Sequence, residues 1–192
     1  MEGAGTFRSM SLRCPAENRD CEGAVDSAYL ITFVCYGAWL PGRRGAVDRD
    51  HNQFGGRWPE GDAGREAGAR SRMKQQAYAL DAGRREIVLD ALREVCCYRS
   101  WTLLAAHARS QHVHAVVAAR ERLEQVLNAF KGYASRALDR VALDPPNRRR
   151  WARHGSTLYL WTSERISAAV RYVVCEQGEP MAVWEMNADA AC

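Results

Sequence analysis

The sequence predicts an α+β fold, an antiparallel sheet with helices packed on it. Three observations carry this. Two apolar strand signals, Trp101 to Ala108 and residues 112–119, are joined by only Arg109-Ser110-Gln111, so an antiparallel hairpin is the natural pairing. Two long segments, 81–99 and 122–141, carry continuous apolar stripes at i, i+3, i+4 spacing. The full order reads β, long loop, α, β, β, α, β, α, which a sheet with helices laid on it satisfies most simply.

The 192 residues, 47% hydrophobic and 26% charged, fit one globular domain with a real core. Residues 1–27 show no periodicity and read as a loose N-terminal arm. The domain proper is expected over 28–180, with 181–192 as a C-terminal tail whose Met181, Val183 and Trp184 pack back on the body. No apolar run approaches the roughly 20 residues a membrane span needs. The N-terminus lacks an apolar signal core, so a cytoplasmic protein without membrane contact is expected.

Ala28 to Tyr36 (AYLITFVCY) is rich in β-branched and aromatic residues and makes the first strand, ended by Gly37 and Pro41-Gly42. Residues 42–80 form a long polar loop rich in Gly, Arg and Asp, with a short helix over 66–79. Its VDRDHNQFG segment sets Asp beside His, a spacing that a solvated, turn-rich loop also explains. Asp81 caps the first long helix, whose stripe is Val88, Ala91, Leu92, Val95 and Cys96. The second long helix buries Leu123, Val126, Leu127, Phe130, Ala134, Ala137, Leu138 and Val141, and Pro145-Pro146 stops it. Leu158 to Trp161 is a short strand. Thr162-Ser163 caps the last helix, about 163–177, with stripe Ile166, Ala169, Val170, Val173 and Val174 and a terminal Gly178.

Net charge is +4, and of 27 basic residues only Lys74 and Lys131 are lysine. Arginine's planar fork suits phosphate, although a GC-rich genome gives the same bias. Arg148, Arg149, Arg150 and Arg153, with Trp151 between them, form a basic cluster that could track a phosphate backbone or simply be solvated. The seven cysteines form no paired CxxC array, which argues against a zinc ribbon. Cys35, Cys96 and Cys175 lie in apolar patterns and are expected to be buried free thiols.

The chemistry gathers at His112-Val113-His114. Strand side chains at i and i+2 share a face, and two neutral imidazoles side by side suit a divalent metal. The last helix supplies what such a pair lacks. Tyr172 lies off its apolar stripe. Glu176, four residues on, shares the tyrosine's face, whereas Gln177 continues the buried stripe and needs a partner. Either could complete a His-His-oxygen site. Tyr133 sits at the edge of a core stripe and reads as packing.

The His112-Val113-His114 strand, followed by the helix Tyr172-Val173-Val174-Cys175-Glu176-Gln177, resembles the single-tyrosine HUH transposases, in particular the REP-associated branch. YLITFVCYGAWLPG at 29–42, VDRDHNQFG at 47–55 and HGSTLYLW at 154–161 extend the resemblance over most of 28–180. It implies a ferredoxin-like HUH endonuclease fold, often dimeric with a monomer possible. It implies a transposase that cuts one DNA strand near a hairpin through a 5′-phosphotyrosine on Tyr172. His112 and His114 would hold Mg²⁺ or Mn²⁺ with Glu176 or Gln177. Single-stranded or hairpin DNA would be the partner, with Arg148, Arg149, Arg150, Arg153 and Lys131 as contacts, in a bacterial cytoplasm and nucleoid. The family commonly places Gln or Asn four residues after the tyrosine. Here that position is Glu176 and the amide stands at the fifth; helical geometry favours Glu176 and side-chain type favours Gln177, so Glu176 is slightly preferred and both are kept. A non-catalytic hairpin binder of the same fold and a water-using phosphoesterase are the alternatives.

Overall fold

The computed structural model describes residues 28–43 and 60–186. The expected arm at 1–27 and the VDRDHNQFG segment lie outside the described residues. The order is β1 (Ala28–Cys35), α1 (Ala63–Ser71), α2 (Ala82–Arg99), β2 (Thr102–Ala108), β3 (His112–Ala118), α3 (Leu123–Arg140), β4 (Trp151–Leu160), α4 (Ser163–Cys175) and β5 (Ala182–Glu185). The strands form one antiparallel sheet in the order β4-β1-β3-β2-β5. The expected α+β architecture is therefore the observed one, and β2–β3 is the expected hairpin. No described helix is long and apolar enough to cross a membrane.

The central strand β3 is covered on both faces, which explains its unbroken Val-Ala run. On one face lie Tyr29, Ile31, Phe33 and Cys35 of β1 and Val113, Ala115 and Val117 of β3, packed under α2 and α3 as the larger core. On the other lie Ala28 and Leu30 of β1 and Val116 and Ala118 of β3, packed against Ile166, Ala169, Val170, Val173 and Val174 of α4. Alternation puts His112, His114 and Thr32 on this α4 face. On β2 the register shifts between Leu103 and Ala105, an extra residue against β3. The bulge reverses the alternation beyond it. Leu103 faces the larger core, yet His107 turns to the α4 face and pairs across the strands with His114.

Asp81 caps α2 by accepting from the Arg84 N–H at 2.8 Å. Thr162 caps α4 through the Arg165 N–H at 3.3 Å. Gly178, at φ 77°, takes the left-handed turn after α4 that a Cβ would strain. Several boundaries differ from the sequence reading. The helix within the 42–80 segment is α1, capped by Asp62, and Tyr78 and Leu80 at the end of that segment are buried in the core. The strand expected over 158–161 begins seven residues earlier, at Trp151, whose ring packs edge-on against Phe33 at 4.9 Å. The expected tail contains β5, which pairs with β2. Cys35 and Cys96 are buried free thiols, but Cys175 is exposed because α4 ends there.

The basic cluster is corrected most. Arg150 is 4% exposed. Its Nε donates to Asp144 Oδ2 at 2.9 Å and its Nη1 pairs with Asp139 at 2.8 Å. Arg84 Nη2 donates to Asp144 Oδ1 at 2.9 Å, and the Tyr78 hydroxyl to Oδ2 at 2.7 Å. Arg150 is thus a buried structural cation with no surface to offer DNA. Burial raises the Asp144 pKa, but hydrogen bonds from Tyr78, Arg150 and Arg84 outweigh it and hold the carboxyl below its ordinary value. Asp144→Asn leaves two guanidinium groups without their shared carboxylate and is expected to cost about 3–5 kcal/mol in urea unfolding. Because the folded pKa is depressed, this stabilisation is present above the unfolded carboxylate range and is lost as pH falls through the folded value. The wild type should show that acid loss, and Asp144→Asn should lack that part of it.

Candidate functional site

The site is built on the α4 face, at the β2–β3 hairpin end of the sheet. His112 and His114 stand side by side as the i, i+2 spacing requires, with ring centroids 4.7 Å apart and planes at 77°. Thr32, the one polar side chain between Leu30 and Phe33 of β1, is the cross-strand neighbour of His114, and its Oγ1 lies 2.7 Å from His114 Nδ1. Desolvation first, then neighbouring positive charge, pushes the pKa of His112 down to about 4 and that of His114 to about 3. Both rings are therefore neutral near pH 7, with nitrogen lone pairs to donate.

Helix α4 lays its second half across this pair. Val173 is fully buried, which fixes the rotation of the helix. Tyr172 then lies 39% exposed with its ring edge-on to His114, centroids 5.6 Å apart and planes at 75°. The Gln177 side chain lies near enough to His114 to oppose the burial that lowers its pKa, and its Nε2 donates to the Tyr172 carbonyl at 3.1 Å. Glu176 occupies the C-cap of α4 and is exposed, with its carboxylate accepting from Arg171 Nε at 3.2 Å. Helical spacing alone puts Glu176 under the tyrosine. The helix ends at Cys175, and this releases Gln177 toward the imidazoles while Glu176 turns to solvent.

Two further residues complete the site, and the sequence reading assigned neither. His107 is fully buried, with Nδ1 3.0 Å from the Val173 carbonyl and Nε2 accepting from the Met181 N–H at 3.2 Å. It ties β2 to both sides of the turn that carries Gln177. Its signal was hidden by the bulge, since strict alternation from Leu103 sends it to the other face. Arg109 sits on the hairpin loop, its Nη1 3.5 Å from His107 Nε2 and donating to the Glu179 carbonyl at 3.1 Å.

The other candidates lie elsewhere. Lys131 donates to the Ala152 and His154 carbonyls at 2.9 and 3.1 Å, and burial lowers its pKa. It stitches α3 to β4 on the opposite side of the sheet. Arg148 donates to Gln75, Gln76 and Ala77 and stacks 5.0 Å over Tyr78. Arg149 and Arg153 are exposed. Tyr133 packs against the larger core under Arg136, 4.4 Å from its ring, away from the histidines. Among the described residues no three His, Cys, Asp or Glu side chains form a metal-holding group. Beside Tyr172 stand two imidazoles, and the Gln177 side chain is near His114; imidazole and amide groups are of types that can hold a divalent ion.

A scan of protein-family models finds no match to this chain, and a search of curated proteins finds none. Among solved structures, one of a REP-associated tyrosine transposase bound to a REP hairpin is similar to it, with a TM-score of 0.47 and 10% sequence identity over 84% of this chain and 72% of that one.

Proposed function

We propose that this protein is a metal-dependent single-strand DNA endonuclease and strand transferase, a transposase acting at DNA hairpins. The observation that carries the reading is the exposed Tyr172 ring set edge-on against His114, beside His112. A partly exposed phenol set against a neutral imidazole contributes little packing, which supports a reactive role for it.

In the proposed step the Tyr172 oxygen attacks a backbone phosphorus. The bond from phosphorus to the 3′ oxygen of the preceding nucleotide breaks. The phenolic proton goes to solvent, and the departing oxygen takes up a proton to become a free 3′-hydroxyl. The 5′ phosphate stays on Tyr172. One phosphodiester replaces another, so the bond energy is conserved and attack by a 3′-hydroxyl can reverse the step without a nucleotide cofactor. His112, His114 and Gln177, with Glu176 as the alternative oxygen, would hold Mg²⁺ or Mn²⁺. Such an ion supplies polarisation of the phosphate and neutralises its developing charge. Thr32 holds the His114 ring by its Nδ1, and α4 aims the tyrosine. Arg149 and Arg153 remain candidates for contact with the DNA beyond the cut. A homodimer is the proposed assembly, with the monomer as the alternative.

The test is a denaturing gel after incubation with labelled single-stranded hairpin oligonucleotides and Mn²⁺. The expected result is a labelled band at the mass of protein plus DNA, absent in EDTA. Turnover without an adduct would instead favour the water-using phosphoesterase. Hairpin binding that persists in EDTA with no adduct under any divalent metal would favour the non-catalytic binder.

A further inference from the structure

Arg109 is a cation at the seam between the two halves of the site, and among the described residues no carboxylate pairs with its charge. Its backbone N–H donates to the His112 carbonyl at 2.8 Å, which fixes it to the histidine strand. Its Nη1 reaches the Glu179 carbonyl, and its Nη2 lies alongside Gly178, where an added Cβ would stand 3.9 Å away. The guanidinium therefore bridges the hairpin and the turn that follows Tyr172 and Gln177. No acidic side chain among the described residues pairs with it; its two polar contacts are the Glu179 carbonyl and His107 Nε2. Its charge reaches all three imidazoles and depresses each.

We infer that Arg109 binds the phosphate that Tyr172 attacks, as a positive group beside the neutral His112–His114 pair. The inference rests on the nuclease reading above and names a residue that reading did not use. An arginine offers five donors in a fixed fork. One Nη1 donor is used by Glu179, which leaves the other edge for a phosphate oxygen. A guanidinium so placed opposes the charge that builds on the non-bridging oxygens as the new P–O bond forms. A phosphodiester is also the ligand that would neutralise it.

The test uses the full chain with three substitutions, Arg109→Gln, Arg109→Lys and Tyr172→Phe. Gln removes the charge and is too short to reach the Glu179 carbonyl as Nη1 does, so circular dichroism and thermal melting check that the fold is retained. Lys, which gives up the planar fork but keeps the charge, shows whether a loss belongs to the charge or to the turn contact. Two readouts are taken. The first is the affinity for a fluorescein-labelled oligo-dT strand across salt concentrations. This depends on phosphates and not on the unknown target sequence. In the Tyr172→Phe background, Arg109→Gln is expected to lower the salt slope by about 0.7, the share of one phosphate on single-stranded DNA, and Arg109→Lys to retain it. The second is the rate of adduct formation on hairpin oligonucleotides, expected to fall about 10²-fold in Arg109→Gln and to recover in part with added guanidinium ion.

Unchanged slope and unchanged adduct rate overturn the inference and leave the nuclease reading standing. A lowered slope with an unchanged adduct rate also overturns it, because Arg109 then holds a different phosphate. A lowered slope in a protein that forms no adduct on any hairpin strand means that the contact is real and the nuclease reading has failed. No binding to any strand removes both.

Discussion

Replacing Tyr172 by Phe is expected to abolish the covalent protein–DNA adduct while leaving fold and DNA binding in place. The substitution deletes one oxygen. Helix α4 is anchored by Ala169 and Val173, not by the tyrosine, which is 39% exposed. Stability should therefore stay within about 0.5 kcal/mol of wild type in urea unfolding, as for surface changes away from special features. The phenylalanine ring can keep its edge-on contact with His114, so the imidazoles stay where they are. The adduct rate should fall by at least about 10³-fold, since loss of a nucleophile removes the step and not merely an aid to it. An adduct that survives in Tyr172→Phe would show that another group attacks. Tyr133 and Tyr159 are both disfavoured by their place on the other face of the sheet, Tyr159 through its register with Tyr29.

The second large effect belongs to the histidine pair. The double change His112→Gln with His114→Gln is expected to abolish Mn²⁺ binding in calorimetry and the Mn²⁺ dependence of the adduct together. Metal-assisted charge stabilisation supplies several kcal/mol, so at 1.36 kcal/mol per factor of ten the rate loss should be on the order of 10³-fold. Glutamine is chosen because His114 is only 5% exposed, and a smaller residue would leave a cavity and an unpaired Thr32. Thr32→Val should weaken Mn²⁺ binding more mildly, by about 10–100-fold, as loss of a hydrogen bond that orients a metal-ligating imidazole commonly does. Retained Mn²⁺ binding in the double variant would move the metal away from this pair. Retained adduct formation without metal would separate the chemistry from the ion altogether.

Much of the architecture was legible because it is local. The stripe from Leu123 to Leu138, the Asp81 and Thr162 caps and the Gly178 turn are written within one helix or one turn. The β2–β3 hairpin follows from a three-residue link, and the shared face of His112 and His114 follows from the two-residue period of a strand. The errors arose where partners are distant. The start of β4 at Trp151 depends on packing against Phe33, far away in sequence. Strand β5 exists because β2 offers it an edge. Arg148-Arg149-Arg150 reads as a uniform basic run, yet Asp139 and Asp144 draw Arg150 into the core and leave Arg149 outside.

By itself the sequence determined the sheet with its packed helices, the paired imidazoles and a tyrosine off the apolar stripe of the last helix. Each of these is a periodicity, and periodicity survives without coordinates. Only the tertiary structure decided which polar group meets the imidazoles and what surrounds them. Helical spacing continues the face of Tyr172 into Glu176, but the helix stops at Cys175, so Gln177 turns back onto the Tyr172 carbonyl near His114 and Glu176 pairs with Arg171. The bulge in β2 turns His107 toward the same face, and the hairpin brings Arg109 against the turn after α4. These contacts depend on where a helix ends and where a strand gains a residue. Both are settled by packing and hydrogen bonding between distant parts of the chain, which no local pattern encodes.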